Sequence, residues 1–92
     1  MGRIWPSSPA LECLNELFPN WKRRGRSLSN YEEALDFLRC IKRRGCRLRW
    51  NDEARRIEAY RPCGLSPSLA KTLTNLLHLR SRKDFEEIKK QL

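Results

Sequence analysis

The 92-residue sequence predicts a mostly helical α+β fold, an N-terminal helix followed by an αββαα unit whose strands form a two-stranded antiparallel hairpin. Three observations predict it. Apolar residues recur at helical spacing in segments that each open on a Ser or Asn cap. One short stretch, Cys46 to Trp50, instead alternates apolar and basic residues with the period of a strand. No polar or Gly/Pro-rich linker is long enough to divide the chain, so residues 1–92 are expected to share one small core. Residues 1–30 hold the first helix and a basic linker, and residues 31–92 the αββαα unit.

Ser8-Pro9 reads as a cap followed by proline at the first helical position, with Leu11, Leu14, Leu17 and Phe18 as the apolar stripe and Pro19 as the stop. Asn20 to Ser27 is the linker. Both Ser29-x-x-Glu32 and Asn30-x-x-Glu33 fit a capping box, so the second helix starts there by either cap. Tyr31, Ala34, Leu35, Leu38 and Ile41 form its inward face, and Gly45 ends it as a left-handed cap. Cys40 projects nearly opposite that face, which calls for a cover from the N-terminal helix or from a partner. Cys46, Leu48 and Trp50 form the inward side of the first strand, Asn51 to Ala54 the turn, and Arg56 to Arg61 the returning strand. Leu65-Ser66-Pro67 opens a third helix with Leu69, Leu73, Leu76 and Leu77 inward. Ser81-x-x-Asp84 opens a fourth, with Phe85, Ile88 and Leu92 inward and Lys89 and Lys90 outward.

Charge carries the functional reading. The net charge is +9, with fourteen arginines against six lysines. Residues 1–30 hold five cations and two acids, residues 31–61 nine and six, and residues 62–92 six and three, so each third nets +3 and the charge belongs to the folded surface. Lys-Arg-Arg-Gly occurs twice, at Lys22–Gly25 and Lys42–Gly45, and ten cations against three acids lie between Lys22 and Arg49. Such a stretch repels itself unless an anion is near, and the planar arginine fork suits phosphate and carboxylate. The last turn of a helix accommodates one or two of these charges by its dipole. Arg47 and Arg49 lie beyond it.

The expected partner is therefore nucleic acid, DNA or RNA, alone or in a nucleoprotein complex. Its phosphates would meet Lys22, Arg23, Arg24, Arg26, Lys42, Arg43, Arg44, Arg47 and Arg49. Trp21 and Trp50 are the aromatic residues placed to stack on a base, although for Trp21 a plug at the helix end is the favoured reading. No recognition-helix motif stands out, so binding would be salt-sensitive and weakly sequence-specific.

Other classes find little support. No phosphate loop, nucleophile elbow or metal motif occurs, and His78, the single histidine, has no acid or nucleophile at a motif spacing. The chain is expected to be non-catalytic, without cofactor or metal. The four cysteines have no C-x-x-C pair, and Met1 to Pro6 lacks an apolar core behind its charge. The expectation is a cytoplasmic chain with free thiols and no membrane segment.

Over residues 31–92 the order helix, Gly-x-x-Leu, hairpin, Pro-x-Gly-Leu-Ser-Pro, helix resembles the TubC-type N-terminal docking domains of nonribosomal peptide synthetase subunits. The matching residues are Leu35, Leu38, Gly45, Leu48, Ile57, Pro62, Gly64, Leu65, Ser66, Pro67, Leu69 and Leu73. His78 to Lys83 stands as an insertion, and residues 1–30 have no counterpart. The resemblance implies an αββαα fold, a homodimer as one assembly state, and a docking adaptor that captures an acidic peptide or acidic protein surface by strand addition. It implies a docking edge on the second strand: Arg56, Ile57, Glu58, Ala59, Tyr60 and Arg61.

Overall fold

The computed structural model describes residues 8–25, 27–60 and 63–92. The readings placed on residues 1–7, Arg26, Arg61 and Pro62 lie outside the described residues. The element order is α1 (Pro9–Leu17), α2 (Tyr31–Arg43), β1 (Leu48–Asn51), β2 (Arg56–Ala59), α3 (Pro67–Leu76) and α4 (Arg82–Lys89). This is the expected α+β architecture.

Each helix starts where its cap residue directs. Ser8, Ser66 and Ser81 accept the backbone N–H three residues on through their hydroxyls, as Asn30 does through Oδ1. Of the two caps open to α2, Asn30 is the one used. Ser29 contributes its backbone N–H to Glu33 Oε1 at 2.9 Å, so the two overlapping boxes merge into one. Helix α2 ends at Gly45, φ +94, with Cys46 N–H donating to Ile41 O and Gly45 N–H to Lys42 O. This pair of bonds is a Schellman cap, and it requires the left-handed backbone that glycine adopts without strain.

α2 is the centre of the molecule. Ala34, Leu35, Phe37, Leu38, Cys40 and Ile41 are all buried, so the helix is covered on more than one face. α1 packs along one side of it and α3 meets the other. This corrects the single-stripe reading of the helix in two places. Tyr31, expected inward, is exposed, while Phe37, outside the stripe, is fully buried. Cys40 is covered by α1, to which it is joined through Cys13.

The hairpin pairs Leu48 with Ala59, Arg49 with Glu58, Trp50 with Ile57 and Asn51 with Arg56. Leu48, Trp50 and Ile57 face the core; Arg49 and Glu58 face away. Tyr60 N–H donates to Arg47 O, which fixes the hydrogen-bonded pairs of the ladder at odd positions of β1. The N–H and C=O of Leu48 and Trp50 therefore point away from β2, and those of Ile57 point away from β1. Ile57 N–H donates to Thr74 Oγ1 of α3 at 3.1 Å.

Two disulfides overturn the expectation of free thiols. Cys13–Cys40 joins α1 to α2, and Cys46–Cys63 joins the entry of β1 to the entry of α3. Folding brings these residues together although no sequence spacing pairs them. The N-terminal helix is further held by Ala10 N–H donating to Cys63 O at 2.9 Å. Gly64 makes the same junction close: a Cβ there would collide with the Ser8 side chain. One hydrophobic cluster runs from Ala10 of α1 through Phe37, Leu38, Ile57 and Leu73 to Ile88 of α4. Among the described residues, no helix is long and apolar enough to cross a membrane.

Candidate nucleic-acid interface

The two Lys-Arg-Arg-Gly segments are built alike but lie at opposite ends of α2. In the first, Arg24 donates through both terminal guanidinium nitrogens to Glu33, at 2.8 and 3.2 Å, near the N-terminal end of the helix. In the second, Arg44 follows the last turn and pairs with Glu12 and Glu16 of α1. Glu33 and Lys42 are nine residues apart, about 14 Å of helix axis. In each copy the third residue is thus tied to carboxylates and the glycine takes a positive φ, +76 at Gly25 and +94 at Gly45. Among the described residues, the leading Lys-Arg of each copy faces outward without a carboxylate partner: Lys22 and Arg23 at one end, Lys42 and Arg43 at the other. Lys22 Nζ sits 5.6 Å from the centre of the Trp21 ring.

This separates the nominated cations into two classes. Arg24, Arg44 and Arg49 are structural, the last bound to Glu58 across the hairpin. Arg24 holds the Glu33 carboxyl below its ordinary range, chiefly through their hydrogen bond, with burial opposing and Ser29 N–H assisting. The Glu58 carboxyl is likewise lowered, first by the Asn51 amide and then by Arg49. These arginines have their anion within the chain.

A group of cations lies at the C-terminal end of α2. A hollow of about 280 Å³ is lined by Lys42, Arg47 and Lys89 together with Leu48, Tyr60 and Leu92. A second, of about 470 Å³, shares Lys42 and Leu92 and adds Arg39 and Arg43. The one acidic side chain among the described lining residues of the pair is Asp36, which is 3.6 Å from Arg39. Lys42, Arg43 and Arg47 have no ion pair among the described residues. Lys89, which the sequence showed only as an outward residue of the last helix, joins this surface because α4 ends beside β1. Arg39, one of the ten cations between Lys22 and Arg49, joins it from one helical turn before the second Lys-Arg-Arg-Gly.

Trp50 offers no face for stacking. Trp50 is 7% exposed, with its ring centre 6.3 Å from that of Phe85. Stacking by Trp50 is therefore corrected: its strand position points the indole into the core. Trp21 is half-buried against the core, and its Nε1 donates to Asn15 Oδ1 at 2.9 Å, which is the plug rather than the platform. Tyr60, 60% exposed, is the most exposed aromatic among the described residues, ahead of Tyr31 at 37%.

The edge nominated for strand addition is also displaced. α3 packs along β2, and Thr74 occupies the outward N–H of Ile57, so that edge is closed at its centre. Arg56 is half-buried with its Nε lacking a partner, and Tyr60 lies beyond the end of the strand. The outward groups of Leu48 and Trp50 on β1 have no hydrogen-bond partner among the described residues. His78, φ 58, closes α3 through Leu79 N–H to Thr74 O and its own N–H to Asn75 O, a backbone role.

Comparison of the chain with protein-family models, with curated proteins and with solved structures finds no match. What the geometry defines is a small disulfide-linked α+β protein with one strongly cationic end.

Proposed function

We propose that the chain is a non-catalytic accessory protein that binds nucleic acid, DNA or RNA, free or in a nucleoprotein complex, through the cationic end of α2. The observation that supports this is the set Lys42, Arg43, Arg47 and Lys89, grouped around two adjoining hollows and without an ion pair among the described residues. Unpaired cations held this close repel one another, and a phosphate backbone relieves that repulsion while releasing its counterions. Arg24, Arg44 and Arg49 drop out of the contact set because each already has its carboxylate.

The test is fluorescence anisotropy with labelled oligonucleotides across a salt series. Wild-type protein is expected to bind with a log–log salt slope of several units. The Lys42→Ala, Arg43→Ala, Arg47→Ala triple variant should reduce that slope by about 2–3. Replacing Lys22 and Arg23 at the far end should change it by less. Equal losses at both ends would sink the localisation, and no binding at low salt would sink the function.

One observation favours a second reading, a docking adaptor for an acidic peptide: the open edge of β1 beside the cationic hollow. Strand addition would then use Leu48 and Trp50 rather than β2. Amide NMR separates the two. A docked peptide shifts the Leu48 and Trp50 amides most, whereas an oligonucleotide shifts the signals of Lys42, Arg43 and Arg47.

The cysteines bear on compartment. A reducing cytoplasm would hold them as thiols, and the paired state belongs to oxidising surroundings. Counting free thiols in protein trapped at the moment of isolation decides between the two.

A further inference from the structure

We propose that this surface takes single-stranded nucleic acid in preference to duplex, with Tyr60 as the platform for an unpaired base. The proposal rests on the nucleic-acid reading above and adds a substrate class to it.

Tyr60 follows β2 on the solvent side of the hairpin, opposite Arg47, and is the most exposed large hydrophobic side chain among the described residues. No hydrogen bond holds its hydroxyl among those residues, so packing does not explain an aromatic there. The ring is nevertheless supported. The Arg49 guanidinium lies 5.2 Å from its centre, and Arg49 is itself held by Glu58. A cation held against the ring limits its motion and leaves the rest of it open to solvent.

One of the two hollows beside Tyr60 matches the charge of a strand as well as its bases. Tyr60 lines the 280 Å³ hollow with Lys42, Arg47 and Lys89, where no acidic side chain contributes among the described residues. Tyr60 also lines a wider concavity of about 520 Å³, where Asp52, Glu53, Glu58 and Glu86 stand among Arg49, Arg82 and Lys89, so a bound strand would follow the smaller hollow instead. A base laid on the ring would have its flanking phosphates among the three unpaired cations of the smaller hollow. Stacking on an aromatic side chain needs a base with a free π-face. In a duplex both faces of every internal base are already covered, so only a single strand, a loop or an end can use Tyr60.

Anisotropy with a labelled oligo-dT, a labelled oligo-rU and a duplex of equal length tests this on wild type, Tyr60→Ala and Tyr60→Phe. The expected result is a loss of about ten-fold in single-strand affinity for Tyr60→Ala, with an unchanged salt slope and duplex binding within about two-fold. Tyr60→Phe keeps the ring and should keep the affinity. Wild-type binding that Tyr60→Ala leaves untouched, or that falls equally for duplex and single strand, overturns this inference alone. Failure of wild type to bind any of the three at low salt overturns the nucleic-acid reading and this inference with it.

Discussion

His78 and Gly45 occupy the same structural position, the left-handed residue that follows a helix, and they differ in what that costs. His78 holds φ 58 with a side chain attached, whereas Gly45 holds φ +94 without one. The Cβ in the left-handed region crowds its own carbonyl. His78→Gly is therefore expected to stabilise the fold by about 0.5–1 kcal/mol, and Gly45→Ala to cost about 1 kcal/mol, as read from urea midpoints. A Cβ at Gly45 would meet open space, so the second figure is backbone strain alone. Glu33 sets a pH dependence at the same scale. Its carboxyl sits below the ordinary 4.5 because Arg24 and Ser29 bond the charged form. The stability this contributes is fully present above about 4.5, the unfolded value, and is lost as pH falls through the lower folded value. Thermal scans from neutral to acid should show that loss, and Glu33→Gln should flatten it. The chemistry of both residues is visible in the sequence, but their partners are not: Arg24 is nine positions from Glu33, across a linker of unreadable path.

At the scale of elements, the hairpin shows how a two-stranded sheet survives in a small protein. An isolated hairpin is marginal, and here α3 lies along β2 and meets its outward backbone. Thr74 performs this by accepting from Ile57 N–H while donating its own proton to Ala70 O at 2.8 Å. Thr74→Val keeps the shape, removes the hydroxyl and leaves a buried N–H unsatisfied. A loss of about 1–3 kcal/mol is expected, together with faster amide exchange at Ile57. Unchanged exchange would show that β2 is held by packing alone. The strands, caps and helix starts were legible because each rests on local chemistry: alternation at Cys46 to Trp50, and a side-chain acceptor three residues ahead of an N–H. Thr74 was not, since a buried threonine on an apolar helix face gives no sign of which backbone it serves.

For the molecule as a whole, the two disulfides and the central position of α2 decide what the charges can do. Cys13–Cys40 and Cys46–Cys63 close segments with sequence separations of 27 and 17. In the chain-entropy account, each stabilises by about 3 kcal/mol. Reduction should therefore lower the melting temperature markedly and release α1 first, because Cys13–Cys40 is the cross-link that holds it against α2. Circular dichroism with and without dithiothreitol measures this. If α1 separates, Glu12 and Glu16 leave Arg44, and the cationic surface gains a charge.

Composition and local pattern alone determined that the chain is a small basic α+β protein and where its helices and hairpin begin. These follow from interactions within a few residues, which a linear sequence records. Tertiary structure decided which cations are tied to carboxylates, that Lys89 stands beside Arg47, that Trp50 is core and Tyr60 is surface, and that the cysteines pair. Each of these depends on contacts between residues far apart in the chain, where burial and charge neutralisation are set by what folding brings alongside.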